Sequence, residues 1–309
     1  MGVVVKIPMN KLRLLPLLLI TSLLVACLSG RNTVTLALLG DLMVGRGVDP
    51  KAASLAALAP ELEAADLSLA NLESPLTSGI GYPTSADIYN LCASASRAAL
   101  FPTWGLDMLS LANNHRYDCG EDRVKDTLEA VAAAGITPVG PGPEAVFRQV
   151  KGLKLAFLAF DDILTPIDET AATRAIQSAR STGAVVVVSV HWGVEYQAGP
   201  TDRQERLARM FANAGAALIV GTHPHVLQPA EWIPTGAGKT LVLYSLGNAL
   251  FDQGGLPDTR QSALVAVTLD SRGVRSVRAA PFVIDVVESR VDLADAGTAK
   301  SIRNRLNIP

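Results

Sequence analysis

AALIVGTHPHVLQ, residues 216–228, decides how this chain is read. Its first half, AALIVG, is a short apolar run stopped by Gly221, the signal of a buried strand. Its second half holds His223 and His225, two of only four histidines in 309 residues. On an extended segment, residues two apart point to the same side, so His223-Pro224-His225 would aim both imidazoles at one cavity. Open α/β sheets gather ligands beyond the carboxyl ends of their strands, and this stretch has that form.

Working outward, the pattern repeats. TVTLALLG (33–40) runs into Asp41, LSLAN (67–71) into Glu73, and LDMLSLAN (106–113) into Asn114 and His115. GAVVVVSV (183–190) runs into His191, while LKLAFLAF (153–160) and TLVLYSLG (240–247) carry the same strand signal. Helical patterns lie between them: KAASLAALAPELEAA (51–65), EDRVKDTLEAVAAAG (121–135) stopped by Gly135, and DRQERLARMFANAG (202–215). This alternation predicts an α/β architecture around a buried sheet. SALVAVTLDSRGVRSVRAAPFVI (262–284) reads as a hairpin turned at Ser271-Arg272-Gly273, and a tail follows over 288–309, weakly helical from Asp292.

The ends of these runs supply a mixed donor set: Asp41, Glu73, Asn114, His191, His223 and His225. Carboxylates, an amide and imidazoles suit Mn, Fe or Zn and differ from a cysteine-rich structural zinc site. Two divalent ions sharing one carboxylate could clamp the attacking and leaving oxygens of a displacement at phosphorus. The chain has no G-x-S-x-G elbow to offer a competing nucleophile. With 49% hydrophobic residues, a net charge of −2 and no basic stripe, it lacks the footprint of a nucleic-acid binder.

The N-terminus reads as a targeting signal. Lys6, Lys11 and Arg13 precede an uncharged apolar run, Leu14 to Val25, too short to span a bilayer comfortably. Leu24-Val25-Ala26-Cys27 then resembles a bacterial lipobox, in which Cys27 is acylated and becomes the mature N-terminus. A plain secretory signal or an uncleaved anchor are the other readings. The expected plan is a lipoprotein signal peptide over 1–26, a short linker over 27–32, one domain over 33–287 and the tail over 288–309. The mature protein would be an extracytoplasmic lipoprotein held on the membrane by its lipid. That compartment permits disulfides. Cys92 and Cys119 could pair there or remain two small apolar residues, and spacing alone leaves both open.

GDLMVGRGV, NLESPLT, SLANNHRYDCG, HWGVEY, GTHPHVLQ and YSLGNALFDQ, in this order, resemble the CapA/PgsA family of bacterial capsule or poly-γ-glutamate synthesis proteins, within the calcineurin-like metallophosphoesterase superfamily. The resemblance runs from Thr33 to Asp285. It implies a metallo-dependent phosphatase-like fold, a four-layer αββα sandwich of two mixed sheets. Carried over by position, it implies Asp41 as the first metal-binding aspartate, Glu73 as the bridging carboxylate, and Asn114, His191, His223 and His225 as further ligands of two divalent ions. His115 would stand near the leaving oxygen, and Arg46 would grip an anionic substrate or else form a loop salt bridge. Trp192 and Glu195, inside HWGVEY, are candidates for contact with substrate. The implied substrate is an anionic polymer or a phosphate ester, and the implied partner a capsule-synthesis membrane complex. A non-catalytic accessory role in that complex is the alternative. The sequence departs from the superfamily at Met43, where a histidine is usual, and from the family at Ala249 and at Leu91-Cys92-Ala93.

Overall fold

A computed structural model of the chain describes Met1 and residues 32–79, 89–236 and 238–308. The expected signal peptide, the linker up to residue 31 and the lipidation site Cys27 lie outside the described residues.

The strand signals become two mixed sheets. One has eight strands: β1 (Val34–Leu42), β2 (Leu67–Leu72), β5 (Met108–Ser110), β6 (Thr137–Val139), β13 (Asn248–Leu250), β14 (Gln261–Asp270), β15 (Gly273–Asp285) and β16 (Arg290–Leu293). Their order is β16-β15-β14-β1-β2-β5-β6, with β13 also paired to β1. The other has six strands: β7 (Gly142–Val150), β8 (Leu153–Asp161), β9 (Val185–His191), β10 (Ala216–Thr222), β11 (Leu227–Thr235) and β12 (Gly238–Leu246). Their order is β11-β12-β10-β9-β8-β7. A small ladder pairs β3 (Leu76–Thr77) with β4 (Ala93–Ser94). Parallel pairing joins β1, β2, β5 and β6 in the first sheet, and β8, β9, β10 and β12 in the second.

Strand alternation sorts the core into layers. Val34, Leu36 and Leu38 of β1 meet Leu155 and Phe157 of β8 and Val185 and Val187 of β9 between the sheets. The intervening residues face outward. Ala37 and Leu39 pack under Leu58, Leu62, Phe101 and Val131 on one side. Ala156, Leu158, Val186 and Val188 pack under helices Glu169–Ser181 and Asp202–Ala214 on the other. The result is the four-layer helix–sheet–sheet–helix sandwich. Helix Asp202–Ala214 starts at a capping box, with Thr201 and Gln204 bonding reciprocally, and stops at Gly215 in the left-handed region. Residues set apart in the sequence as a tail join the body: β16 extends the first sheet, and helix Ala296–Leu306 buries Ile302 and Leu306 in the inter-sheet core. No helix among the described residues is long and apolar enough to cross a membrane.

Candidate metal centre

The parallel strands of both sheets end on the same side, and their ends carry the polar residues picked out by sequence. Asp41 lies at the end of β1, Asn71 in β2 with Glu73 just beyond it, and Asn114 after β5. His191 closes β9, while His223 and His225 follow β10. The approach is close. A Cβ on Gly40 would sit 1.8 Å from the Gly247 carbonyl oxygen, so a side chain there would drive β1 away from the 247 turn. Asp41 N donates to that same carbonyl at 2.9 Å.

All six expected ligands come together, five of them buried and Asn114 half-buried. Asp41 Oδ1 accepts from Asn71 Nδ2 at 2.8 Å, and Oδ2 accepts from His223 N at 3.0 Å. His191 Nε2 lies 2.7 Å from Asn114 Oδ1, 3.1 Å from His223 Nδ1 and 3.5 Å from Glu73 Oε1. Three further donor atoms thus lie within 3.5 Å of the His191 Nε2 atom. Asp41, Glu73 and His225 form a second group, with donor atoms mutually within 4.8 Å, and Glu195, His223 and His225 form a third. Neither oxygen of the fully buried Glu73 carboxyl meets a hydrogen-bond donor among the described residues; its near neighbour is the Asp41 carboxylate, with which it could bond only by keeping a proton. A buried polar group in that state is costly unless something else satisfies it.

Each group is perturbed for a reason. Burial raises the Asp41 carboxyl, but hydrogen bonding and charge from His225, then His191 and Asn71, outweigh it and hold Asp41 well below the usual carboxylate range. Burial and then the Asp41 charge push Glu73 well above its ordinary value. Burial lowers His191 well below the usual imidazole range, with Asp41 opposing. Burial and then His225 lower His223 to about 4. Depressed imidazoles at His191 and His223 and an ionised Asp41 are in the states metal ligation requires, whereas Glu73 would give up a proton to an arriving cation. The donor chemistry and the unsatisfied Glu73 oxygens fit a divalent cation.

The histidine turn is not the extended segment its sequence predicts. His223 has φ 98° and His225 φ 59°, so the chain coils through the left-handed region and the two rings lie 6.0 Å apart. Arg46 and Tyr196, also at this end, have φ 48° and 63°. Such conformations cost of order 1–3 kcal/mol each and persist where the surroundings enforce them. Here strand pairing, a tight turn and hydrogen bonds to Asp41 do so.

The remaining candidates divide. His115 stands apart from the ligand groups, with Nδ1 2.9 Å from Asp118 Oδ2. Arg46 donates from Nε to Asp252 Oδ2 at 2.8 Å and pairs with Asp252 through Nη2 as well, over the Phe251 ring. Its charge still acts on Glu73, whose carboxyl it lowers against the larger opposing effects. Glu195 sits on the exposed loop after β9, beside His223 and His225. Trp192 is a correction: it does not line the site. It is fully buried among Phe211 and Tyr244 on the helix side of the sheet, with Nε1 donating to Tyr244 O at 2.9 Å. Cys92 and Cys119 form a disulfide, which fastens the 90–92 segment to the His115 turn.

The expected ligand set omitted the residues that orient it. Asn248 Nδ2 donates to Gln253 Oε1 and Thr259 O, which leaves its Oδ1 facing His225 Nδ1 at 2.9 Å. Thr222 Oγ1 lies 3.0 Å from His191 Nδ1, and Asn113 Nδ2 donates to Leu72 O at 2.7 Å. Asn71 and Asn248 lie inside the quoted motifs at strand ends, which is a signal that could have found them.

A four-layer αββα sandwich with buried carboxylates and imidazoles at its strand ends defines a metallophosphatase-like fold. The chain spans 88% of its length over 58% of a Staphylococcus aureus structure described as a 5'-nucleotidase in complex with alpha-ketoglutarate, with a TM-score of 0.52 and 13% identity, a likeness of fold alone. Within that class, residues 35–253 match the model of the bacterial capsule synthesis protein PGA_cap, and the chain belongs to that family. It is 32% identical to the PGA biosynthesis protein CapA of Bacillus subtilis, over 84% of this chain and 73% of that one. It is 31% identical to the capsule biosynthesis protein CapA of Bacillus anthracis, over 81% and 67%.

Proposed function

We propose that this protein is a metal-dependent hydrolase of the phosphoesterase type, acting on an anionic polymer or phosphate ester in capsule or poly-γ-glutamate metabolism. The observation that carries the reading is Glu73, a fully buried carboxyl facing Asp41 and the imidazoles with no hydrogen-bond donor to either oxygen among the described residues. Asp41, Glu73 and His225 would hold one divalent ion, and Asn114, His191 and His223 a second, with Glu73 between them. Bound there, such ions supply Lewis acidity and a clamp on the oxygens of a displacement. The chain does the rest. Asp118 fixes the His115 ring through Nδ1, which leaves Nε2 to carry a proton toward a leaving oxygen. Arg46, braced on Asp252, adds positive charge at the mouth for an anionic substrate. Acylation of Cys27 would keep the domain at the extracytoplasmic membrane face, where a capsule-synthesis membrane complex would be its partner; the relatives are named for PGA and capsule biosynthesis.

A second reading has one observation in its favour. Met43, two residues after Asp41, is fully buried in the apolar cluster under the helices and offers no hard donor. A site short of one ligand suits an accessory protein that binds metal or polymer without turnover. Metal analysis and a phosphodiesterase assay on the full-length protein separate the two. Hydrolysis is expected, and His115→Ala should keep its metal while losing about 10²–10⁴-fold in turnover. Metal without turnover on any phosphate or amide substrate moves the protein to the accessory class. Absence of metal ends the metal reading. Mass spectrometry of the mature N-terminus checks the lipid, and an unmodified start at another residue would refute it.

A further inference from the structure

We propose that Glu195 is itself a metal ligand, closing the cation site from its solvent side together with His223 and His225. This rests on the metal reading above and adds a residue to it. Three observations point to it. The Glu195 carboxylate, His223 and His225 each place a donor atom within 4.8 Å of the others. Ligand bonds of about 2.0–2.2 Å set neighbouring donors roughly 3–3.6 Å apart around one ion, so the three side chains would draw together by about an ångström on binding.

The loop carrying Glu195 is also built to stay where it is. Tyr196 N donates to Pro224 O at 2.8 Å, tying the residue after Glu195 to the residue between the two histidines. Gln253 Nε2 donates to the Tyr196 hydroxyl at 3.1 Å. Behind the loop, Gln204 Nε2 donates to Gln228 Oε1 at 2.9 Å, and Gln228 Nε2 donates to the carbonyls of Gln197 and Gly199 at 2.9 and 3.0 Å. Gly193 lies against the Gln204 amide, which a Cβ there would meet at 2.7 Å. An exposed carboxylate on a loop fastened at both ends differs from an ordinary solvated charge.

The third observation is the donor count. The group of Asp41, Glu73 and His225 has three protein donors, and Met43, just past β1 and two residues from Asp41, is apolar and buried away in the core. His225 belongs to both this group and the one containing Glu195, so a carboxylate arriving from the β9 loop reaches the cation site by the open side. Two imidazoles and a carboxylate form a set that takes Zn²⁺, Fe²⁺ or Mn²⁺ rather than Ca²⁺.

The test uses full-length protein stripped with chelator and titrated with Co²⁺, read by affinity and by visible absorption. Glu195→Gln should weaken binding at least about tenfold and shift the absorption bands, because a ligand leaves the ion. Glu195→Asp should recover part of both. A carboxylate that acts only on substrate would raise KM and leave Co²⁺ affinity and spectrum unchanged. Glu195→Gln with wild-type affinity and wild-type bands overturns the proposal while the metal reading stands. Wild-type protein that binds no Co²⁺ overturns both.

Discussion

The two sheets bring different chemistry to the same place. The eight-stranded sheet ends in oxygen donors: Asp41, Asn71, Glu73 and Asn114. The six-stranded sheet ends in imidazoles: His191, His223 and His225. The oxygen side is locked, with Asp41 and Glu73 fully buried. The nitrogen side sits on a strained turn and opens toward the Glu195 loop. Neither set is a site alone. Contacts across the gap, His223 N to Asp41 at 3.0 Å and His191 to Asn114 at 2.7 Å, exist because the apolar faces of the two sheets are stacked. Ligands divided between two stacked layers make the centre a reporter of how those layers are packed.

The largest effect should come from His225, which belongs both to the group of Asp41 and Glu73 and to the group of Glu195 and His223. Its φ of 59° favours glycine, so His225→Gly removes the ring with little backbone strain. Metal affinity should fall by more than the roughly 10–100-fold that loss of an outer partner costs. Circular dichroism should stay near that of wild type, because the sheets bury their own apolar faces. Wild-type metal content in this variant would break the two-sheet site.

The oxygen side has its own brace. The Cys92–Cys119 disulfide joins segments 27 residues apart and holds the turn on which Asp118 Oδ2 accepts from Leu91 N at 2.7 Å. Cys119→Ser should lower unfolding stability by about 2–4 kcal/mol in a denaturant titration. The imidazole side is fastened through other residues, so metal content should change little. A loss of metal as large as that of His225→Gly would mean that the two sides are one cooperative unit.

Much of this was legible in the sequence. Interior strands announce themselves because burial on both faces demands apolar runs, as in VVVV at 185–188, and a polar residue following such a run marks a strand end. The gaps are equally physical. β7 and β11 are the two edges of the six-stranded sheet. An edge strand needs one hydrogen-bonded neighbour and tolerates proline, so Pro143, Pro229 and Pro234 mask the signal. The left-handed turn at His223 and His225 was hidden too, since neither residue is glycine and the constraint comes from Asp41, distant in sequence.

Trp192 lies next to the metal centre in sequence and on the helix side of the sheet in space. Its place in HWGVEY makes it look like part of the site, but strand parity says otherwise. Val185, Val187 and His191 share one face of the β9 register, and Val186, Val188, Val190 and Trp192 share the other. If His191 faces the metal centre, its neighbour in an extended chain faces away, and Trp192 N pairing with Thr222 O at 3.1 Å shows that the extended run continues through it. Trp192→Phe keeps an aromatic ring between Phe211 and Tyr244 but deletes the indole donor to Tyr244 O. The expected cost is about 1–2 kcal/mol of stability, from one lost hydrogen bond and a smaller ring. Metal affinity and KM should match wild type. A raised KM with unchanged stability would return Trp192 to the pocket and overturn the parity argument for this end of β9.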